Sequence, residues 1–317
     1  MMDKQKITIL GINGHIGHAA AEAFVAAGWQ VTGFGRRNKK PIEGAAFVKG
    51  DARQQGDIEA AIASADVVFN GLNLPYDQWD KGRAEAQLAI VLAALENSGK
   101  TLLFPGNIYN YAASDRVLTP EMAQHPETPR GAIRVRQEQM LARAAEAGDV
   151  QVIILRAGDF YGPNNQGDWF DQAMMMSVGK GRIHHMAGLD VGHSWAYLPD
   201  LGAAFVKLAE RRQSLKSFDR FHFSGHYVTH GALMAAIQTS STQPLRVVPM
   251  PWIMLRLMGI GMPVIREVVK MRYLWDNPMR LEDKRLGDIL GPDFGTELGA
   301  AVRASVVQYF ANTAKAA

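Results

Sequence analysis

Short apolar runs alternate with helix-forming segments along the first 230 residues of the chain. The runs have the length and composition of buried strands, and they are separated by glycine, asparagine or aspartate. The predicted strands are 7–10, 29–34, 46–50, 66–69, 101–104, 152–155 and 221–223. The predicted helices include 19–25, 57–63, 81–96, 139–147 and 298–310. Strands that alternate with helices form a parallel sheet covered on both faces, so the pattern predicts an α/β fold with a doubly wound parallel (Rossmann) sheet.

The first predicted strand ends in glycines at three-residue spacing. Gly11 permits a tight turn, Gly14 lets the backbone approach a pyrophosphate, and Gly17 lets the next helix pack closely on the strand. The helix N-terminus then offers unpaired N–H groups and a positive dipole end to phosphates. The segment therefore predicts a dinucleotide site, although a structural turn without a ligand is the alternative. The candidate contacts are Gly11, Asn13, Gly14, His15, Ile16 and Gly17.

The residues after the second predicted strand indicate which dinucleotide is bound. NAD-binding folds usually place a carboxylate there to accept hydrogen bonds from the adenosine ribose. Here Arg36 and Arg37 follow the strand, and no carboxylate precedes Glu43. A guanidinium can bind a 2′-phosphate through two parallel hydrogen bonds, whereas a carboxylate would repel it. The sequence thus predicts NADP(H), and the alternative is that the basic cluster is only solvated.

Polar residues follow the later strands at the edge where parallel strands end. Asp51, Asn70 and Gly71 occupy such positions, as do Pro105 and Asn107 in the segment 105–111. Because ligands bind at the carboxyl ends of these strands, we expect one cleft there. Ordinary turn chemistry would use the same residue types.

Composition restricts the function further. The chain has 317 residues, 47% of them hydrophobic, and no cysteine, which excludes disulfides and favours a cytoplasmic location. The formal charge of +3 is small and its basic residues are scattered, so nucleic-acid binding is not expected. The longest apolar segment, 257–265, is too short to span a membrane. His184, His185 and His193 lack the spacing of metal ligands, so we predict no metal and place them at the surface or beside a substrate.

Several motifs together resemble the extended short-chain dehydrogenase/reductases, and in particular the NAD-dependent epimerase/dehydratase family. They are the glycines at 11, 14 and 17 and the segments 50–52, 155–163, 195–201 and 221–225. The resemblance implies that Asp51 and Ala52 hold the adenine and that Asn70, Gly71 and Leu72 flank the ribose. It also implies a dinucleotide-binding domain (1–163 and 193–228) and a smaller C-terminal substrate-binding domain (164–192 and 229–317). Homodimers are common in the superfamily, so a homodimer is possible by analogy.

The chain departs from the family at the position of its acid–base pair. The family uses a Tyr-x-x-x-Lys pair on a helix, and alignment places Arg130 and Arg134 at those two positions. Arg134 could hold the nicotinamide ribose, but arginine stays charged and is a poor proton donor near neutral pH. We therefore predict Tyr109 with Arg134 as the catalytic residues, although the resemblance also gives Tyr109 an architectural role.

Four residues are candidates for substrate binding: Asn107, whose amide could polarise a carbonyl, and Asp159, Tyr161 and Trp195. The Met- and Trp-rich run 250–262 predicts core or the wall of an apolar pocket. Two functions stay open. One is an NADP(H)-dependent oxidoreductase or epimerase-like enzyme that acts on a small carbonyl or hydroxyl substrate. The other is a non-catalytic NADP(H)-binding sensor, which the missing Tyr-Lys pair favours.

Overall fold

The computed structural model describes residues 4–164 and 167–310. The strands are β1 Lys6–Leu10, β2 Gln30–Gly35, β3 Ala45–Lys49, β4 Val67–Asn70, β5 Thr101–Gly106, β6 Val117–Leu118, β7 Gln151–Arg156, β8 Asp159–Tyr161, β9 Arg182–His185, β10 Gly192–Tyr197, β11 Phe218–His222, β12 His226–Thr229, β13 Arg246–Pro249 and β14 Arg280–Leu281. The helices are α1 His15–Ala26, α2 Gln55–Ile62, α3 Arg83–Ala94, α4 Pro129–Ala147, α5 Leu198–Arg211, α6 His230–Ser240, α7 Trp252–Gly261, α8 Pro263–Lys270, α9 Tyr273–Asp276, α10 Lys284–Leu290 and α11 Leu298–Phe310.

Seven parallel strands form the main sheet in the order β11-β7-β5-β4-β1-β2-β3. β1 lies between β4 and β2, with Ile7 paired to Val67 on one side and to Val31 on the other. The chain therefore builds outward in one direction from β1 and then in the other. This confirms the predicted doubly wound α/β sheet, and it places the crevice for a ligand at the carboxyl ends of β1 and β4.

Helices cover both faces of this sheet and account for its apolar strands. On one face α1 and α5 pack together, and their buried residues include Phe24 and Phe205. On the other face α2, α3 and α4 enclose a core that includes Ile58, Val91 and Leu141. Strands buried on both faces need apolar residues at nearly every position, which is why these strands are continuous hydrophobic runs in the sequence.

The remaining strands form small sheets beside the carboxyl ends of the main sheet. β10 pairs with β8 and β12, β9 with β13, and β6 with β14. An apolar core that includes Met174, Trp195, Trp252 and Trp275 joins these sheets to α6, α7 and α11. This part includes the residues that we assigned to the substrate-binding domain, and the domain boundaries stay a prediction. No helix in 4–164 or 167–310 has both the length and the apolar character needed to cross a membrane.

Candidate functional site

The glycine-rich turn between β1 and α1 has the close contacts that the sequence predicts. Gly11 has a positive φ of 80°, and a Cβ there would lie 2.7 Å from the Gly71 carbonyl oxygen. A Cβ on Gly17 would lie 2.4 Å from the Gly11 oxygen, so both positions need glycine for the fold itself. Gly14 is exposed, and the atom nearest to a Cβ added there would be the Gly11 carbonyl oxygen, at 3.3 Å. Internal packing therefore explains Gly11 and Gly17, while Gly14 leaves room for a ligand beside the first turn of α1.

Asn13 connects this turn to the basic segment after β2. Its side-chain amide donates to the Arg37 carbonyl oxygen at 2.8 Å, and its Oδ1 accepts from the Lys39 backbone N–H at 2.8 Å. Arg36 and Arg37 keep exposed side chains. Asp51, after β3, is hydrogen-bonded to Arg53, which with the nearby Arg36 lowers the pKa of the Asp51 carboxyl to about 2. The half-buried Ala52 follows it.

A cavity of about 520 Å³ opens at the carboxyl ends of β4 and β5, next to the N-terminal turn of α1. It brings together many of the predicted site residues, namely Ile16, Asn70, Gly71, Leu72, Pro105, Asn107, Tyr109, Arg134 and Asp159. Asn13, Gly14 and His15 line a separate small recess beside Lys40. Neither lining includes Arg36, Arg37, Asp51 or Ala52, which lie towards β2 and β3.

The far wall of the cavity comes from the C-terminal part of the chain. Its side chains there are apolar: Met250, Leu255, Val264, Ile265 and Val268. The aromatic side chains of Tyr76, Trp79 and Trp169 also line it, and sequence reasoning did not select them. Their sequence signal was weak because aromatic residues outside a motif are usually core.

Arg134 projects from α4 into this cavity as a cation without a carboxylate. Its guanidinium carbon lies 4.5 Å from the Trp79 ring centroid, and its Nη1 donates to Gln137 at 3.1 Å. No described acidic side chain forms an ion pair with it, and its buried Nε has no hydrogen-bond partner. Burial lowers the pKa of Arg134 to about 10, so it is still charged at neutral pH. A desolvated cation in this state favours a ligand that supplies negative charge.

Tyr109 lies in the same cavity on the loop after β5. Asn107 shapes this loop, because its Oδ1 accepts a hydrogen bond from the Tyr109 backbone N–H at 3.1 Å. Burial and the charge of Asp159 raise the pKa of Tyr109 to about 12, against the opposing effect of Arg134. The phenol is therefore a neutral hydrogen-bond donor at physiological pH, and it is poorly suited to act as a base.

Arg130, which we aligned with the family's tyrosine, does not line the cavity. Its side chain is 1% exposed, and its guanidinium carbon lies 4.2 Å from the centre of the Tyr76 ring. Its Nε lies 3.4 Å from the Glu267 carboxylate on α8. Arg130 thus joins α4 to α8 and, as an arginine, is a poor proton donor near neutral pH.

A buried polar network supports the Tyr109 loop from behind. Arg156 pairs with Glu138 at 2.5 Å, and it donates to the Asn107 carbonyl oxygen and to Asn110 Oδ1. The Nδ1–H of His222 donates to the Leu118 carbonyl oxygen at 2.8 Å, which leaves Nε2 to accept from Arg156 at 3.3 Å. Burial and the charge of Arg156 lower the pKa of His222 to about 3, so the ring is neutral.

Four predicted positions need correction. One is His184, which was expected at the surface or beside substrate but is buried, with 7% of its surface exposed. Tyr161 and Trp195, expected to bind substrate, are each 1% exposed and do not line the cavity. The Tyr161 hydroxyl contacts His226 Nδ1 at 2.8 Å, and Trp195 packs against the His193 ring. Both side chains point into the core because β8 and β10 form a sheet whose residues there are buried. His193, expected at the surface or beside substrate, is completely buried. Among the described residues, no cluster of side chains could hold a metal ion.

Comparison with known families agrees with this architecture. The model of the NAD dependent epimerase/dehydratase family matches residues 7–223, which is more than half of the chain. The chain belongs to this family. The family match confirms the resemblance seen in the sequence motifs. A separate comparison with curated proteins found no match.

Several solved structures share the fold over nearly the whole chain. UDP-glucose 4-epimerase from Brucella ovis in complex with NAD has a TM-score of 0.78 at 16% identity, and the match covers 96% of this chain and 98% of that one. MoeE5 in complex with UDP-glucose and NAD has a TM-score of 0.77 at 14% identity, with 98% and 99% covered. The enzyme from Stenotrophomonas maltophila with NAD and formylated UDP-arabinopyranose has a TM-score of 0.74 at 16% identity, with 99% and 100% covered. At these identities the similarity establishes the fold alone.

Proposed function

We propose that this protein is an NADP(H)-dependent oxidoreductase that acts on a small aldehyde, ketone or alcohol with an apolar body. The observation that carries the proposal is Arg134, a desolvated cation without a carboxylate partner, facing an apolar cavity beside Tyr109. The cavity lies at the switch point of a doubly wound sheet, where ligands of such folds bind. Perturbed ionisable groups in a cleft are typical of active sites.

The residues present fit a dinucleotide. Gly14 is exposed at the start of α1, where the helix amides and dipole would hold the diphosphate. Asp51 and Ala52 would contact the adenine, and Asn70 to Leu72, Pro105 and Asn107 would line the path towards the cavity. Arg134 would hold the nicotinamide ribose or the oxygen of the substrate. When bound, the nicotinamide would supply or accept a hydride at this position.

The choice of NADP(H) over NAD(H) rests on Arg36 and Arg37. Both side chains are exposed directly after β2, and their turn is held to the glycine turn by Asn13. An adenosine 2′-phosphate there would meet two guanidinium groups and no carboxylate. Several structures with the same fold were determined with NAD. The preference for NADP(H) that we propose is therefore based on these two arginines of this chain.

Tyr109 and Arg134 would act on the substrate oxygen. The neutral phenol of Tyr109 would donate a hydrogen bond, and the guanidinium of Arg134 would stabilise negative charge as it develops on that oxygen. The apolar wall from α7 and α8 would bind the hydrocarbon part of the substrate, and Asn107 could orient the carbonyl. Such a wall offers few partners to a sugar, so we propose an apolar carbonyl compound instead.

Calorimetric titration with NADPH and NADH tests the cofactor, and NADPH oxidation against a panel of aldehydes, ketones and quinones tests the reaction. We expect NADPH to bind at least about tenfold more tightly, which is about 1.4 kcal/mol. Arg36→Ala should remove most of this preference, while Arg143→Ala, on an exposed part of α4, should not. Equal affinity for NADH would refute the NADP(H) assignment.

A non-catalytic NADP(H) sensor is the second candidate. The observation in its favour is that Arg130, which our alignment places at the position of the usual phenol, is paired with Glu267 away from the cavity. Tight NADPH binding without oxidation by any compound of the panel would favour this function. Turnover that is lost in Tyr109→Phe but kept in Tyr227→Phe, where the tyrosine is exposed, would favour the enzyme.

A further inference from the structure

Asp159 and His193 form a pair at the inner wall of the cavity. Asp159 begins β8 and lines the cavity, while His193 lies behind it on β10 with its side chain 0% exposed. His193 Nε2 is 3.0 Å from Asp159 Oδ2, and His193 Nδ1 is 3.2 Å from the Leu274 carbonyl oxygen. The Trp275 indole N–H also donates to Asp159 Oδ2, at 2.6 Å.

Counting protons at these contacts gives an unusual result. A carbonyl oxygen can only accept a hydrogen bond, so Nδ1 of His193 carries a proton. An ionised carboxylate also only accepts, so a second proton must lie between Nε2 and Oδ2. The pair is then an imidazolium with a carboxylate, or a neutral imidazole with a carboxylic acid. In either form it holds one transferable proton and has no net charge.

We propose that the Asp159–His193 pair stores the proton that the missing tyrosine would otherwise supply, with Asp159 as the catalytic acid and His193 as its positioning residue. This rests on the proposed oxidoreductase function. Sequence reasoning had assigned Asp159 to substrate binding and had not paired it with His193. The two residues are 34 positions apart and meet only because β8 and β10 are neighbours.

The groups around the pair support a stored proton. The ring of His230 stacks on His193 with centroids 5.9 Å apart, and burial together with the His193 charge lowers the pKa of His230 to about 4. His230 is therefore neutral and does not compete for the proton. The carboxylate within ion-pair distance of His193 is that of Asp159, at 3.0 Å.

The proposed step moves only a proton. As the carbonyl carbon receives a hydride from the reduced nicotinamide, the carbonyl oxygen becomes an alkoxide and takes the proton from Asp159. The new bond is O–H on the substrate, and the bond broken is the one that held the proton in the pair. Asp159 and His193 are left with one negative charge and take up a proton from solvent. The reverse sequence serves alcohol oxidation.

Nuclear magnetic resonance of the protein without any cofactor tests the pair directly. With ¹⁵N-labelled histidine and ¹³C-labelled aspartate, we expect near pH 8 either two protons on the His193 ring or a protonated Asp159 carboxyl. In Asp159→Asn the His193 ring should carry a single proton, because the asparagine amide can donate to Nε2. His222 is an internal control, since its hydrogen bonds make it neutral with a proton on Nδ1 in both proteins.

A His193 ring with one proton beside an ionised Asp159 in the wild-type protein would overturn the proposal. Where the wild-type ring carries two protons, an unchanged His193 spectrum in Asp159→Asn would overturn it as well. Neither result depends on cofactor or substrate, so a failure of the oxidoreductase function is distinguishable from a failure of the pair. Where a substrate is found, Asp159→Asn should lower kcat by about 100-fold or more, and the exposed Asp190→Asn should not change it.

Discussion

Glu138→Gln should destabilise the protein by several kcal/mol although it changes the side-chain volume very little. Both oxygens of Glu138 are used in the folded protein. Oε1 accepts from Arg156 at 2.5 Å and from Asn110 at 3.0 Å, and Oε2 accepts from Gln124 at 2.7 Å. A glutamine amide would turn an N–H₂ group towards one of these donors, so at least one hydrogen bond would be lost.

The larger effect comes from charge. Arg156 is 1% exposed and Glu138 is 7% exposed, so removal of the carboxylate leaves a guanidinium buried without a counter-charge. Breaking a buried pair on one side typically costs about 3–5 kcal/mol. Carbonyl and amide oxygens of Asn107 and Asn110 still accept from Arg156, which favours the lower half of this range. With about 2–4 °C per kcal/mol, the expected loss in Tm is about 6 °C or more.

Thermal unfolding followed by circular dichroism, with urea unfolding for the free energy, measures this change. Asp288→Asn is the matched control, because it makes the same chemical change in the exposed Lys284–Asp288 pair, where the N–O distance is 2.7 Å. That variant should lose no more than about 1 kcal/mol. If Glu138→Gln melts within about 2 °C of the wild type, which is less than 1 kcal/mol, the buried network does not support the loop as we argue.

Four further predictions concern the glycine turn, the basic turn, the phenol and the buried histidines. Gly14→Ala should keep the Tm but weaken NADPH binding in calorimetry, whereas Gly17→Ala should lower the Tm because its Cβ would overlap the Gly11 oxygen. Arg36→Glu should weaken NADPH binding by about 100-fold or more without weakening NADH, and equal losses for both would argue against a 2′-phosphate contact. Tyr109→Phe should lower kcat by about tenfold or more with the Tm unchanged, and normal turnover would exclude the hydroxyl from the reaction. Burial lowers the pKa of His222 to about 3 and that of His230 to about 4, so below pH 6.5 these histidines take up protons in the unfolded chain before they do so in the folded protein. The free energy of unfolding should therefore fall by up to about 1.4 kcal/mol per pH unit for each ring as the pH drops below 6.5. His222→Gln should make this pH dependence less steep.

The main sheet was predictable because its strands are local signals. The central strands β1, β4, β5 and β7 are buried on both faces, whereas the edge strand β3 is not. All seven predicted strands are found in the main sheet, with ends that differ by one or two residues in most cases. The start of α4 at Pro129 was placed ten residues late by the residue pattern, which predicted helix from 139, and two residues late by the family resemblance, which placed a helix at 131–141. The signal was present, because Thr128 caps the helix by accepting from the Gly131 N–H and Pro129 occupies the first turn.

The pairings that define the site were not predictable, because they join residues far apart in the chain. Arg130 meets Glu267 and Arg156 meets Glu138 only after α4, α8 and β7 have packed. The burial of His193 depends on β10, which lies outside the main sheet and pairs with β8 and β12. Alternation of apolar and polar positions shows that such a strand exists, but it does not show which sheet the strand joins.

Arg130 and Arg134, which the sequence alignment places at the tyrosine and lysine positions of the family, have different surroundings on α4. Four residues apart on α4, they point in similar directions, yet only Arg130 has a carboxylate within reach. Arg134 keeps its charge desolvated beside Trp79, a state that becomes favourable when negative charge appears on a bound oxygen. The guanidinium of Arg134 stabilises the negative charge on the oxygen, but it is a poor donor of a proton to that oxygen. If the protein is an enzyme, the proton must therefore come from another group. Asp159 and Asp168 both line the cavity and each contacts a histidine, and the partner of Asp159, His193, is completely buried.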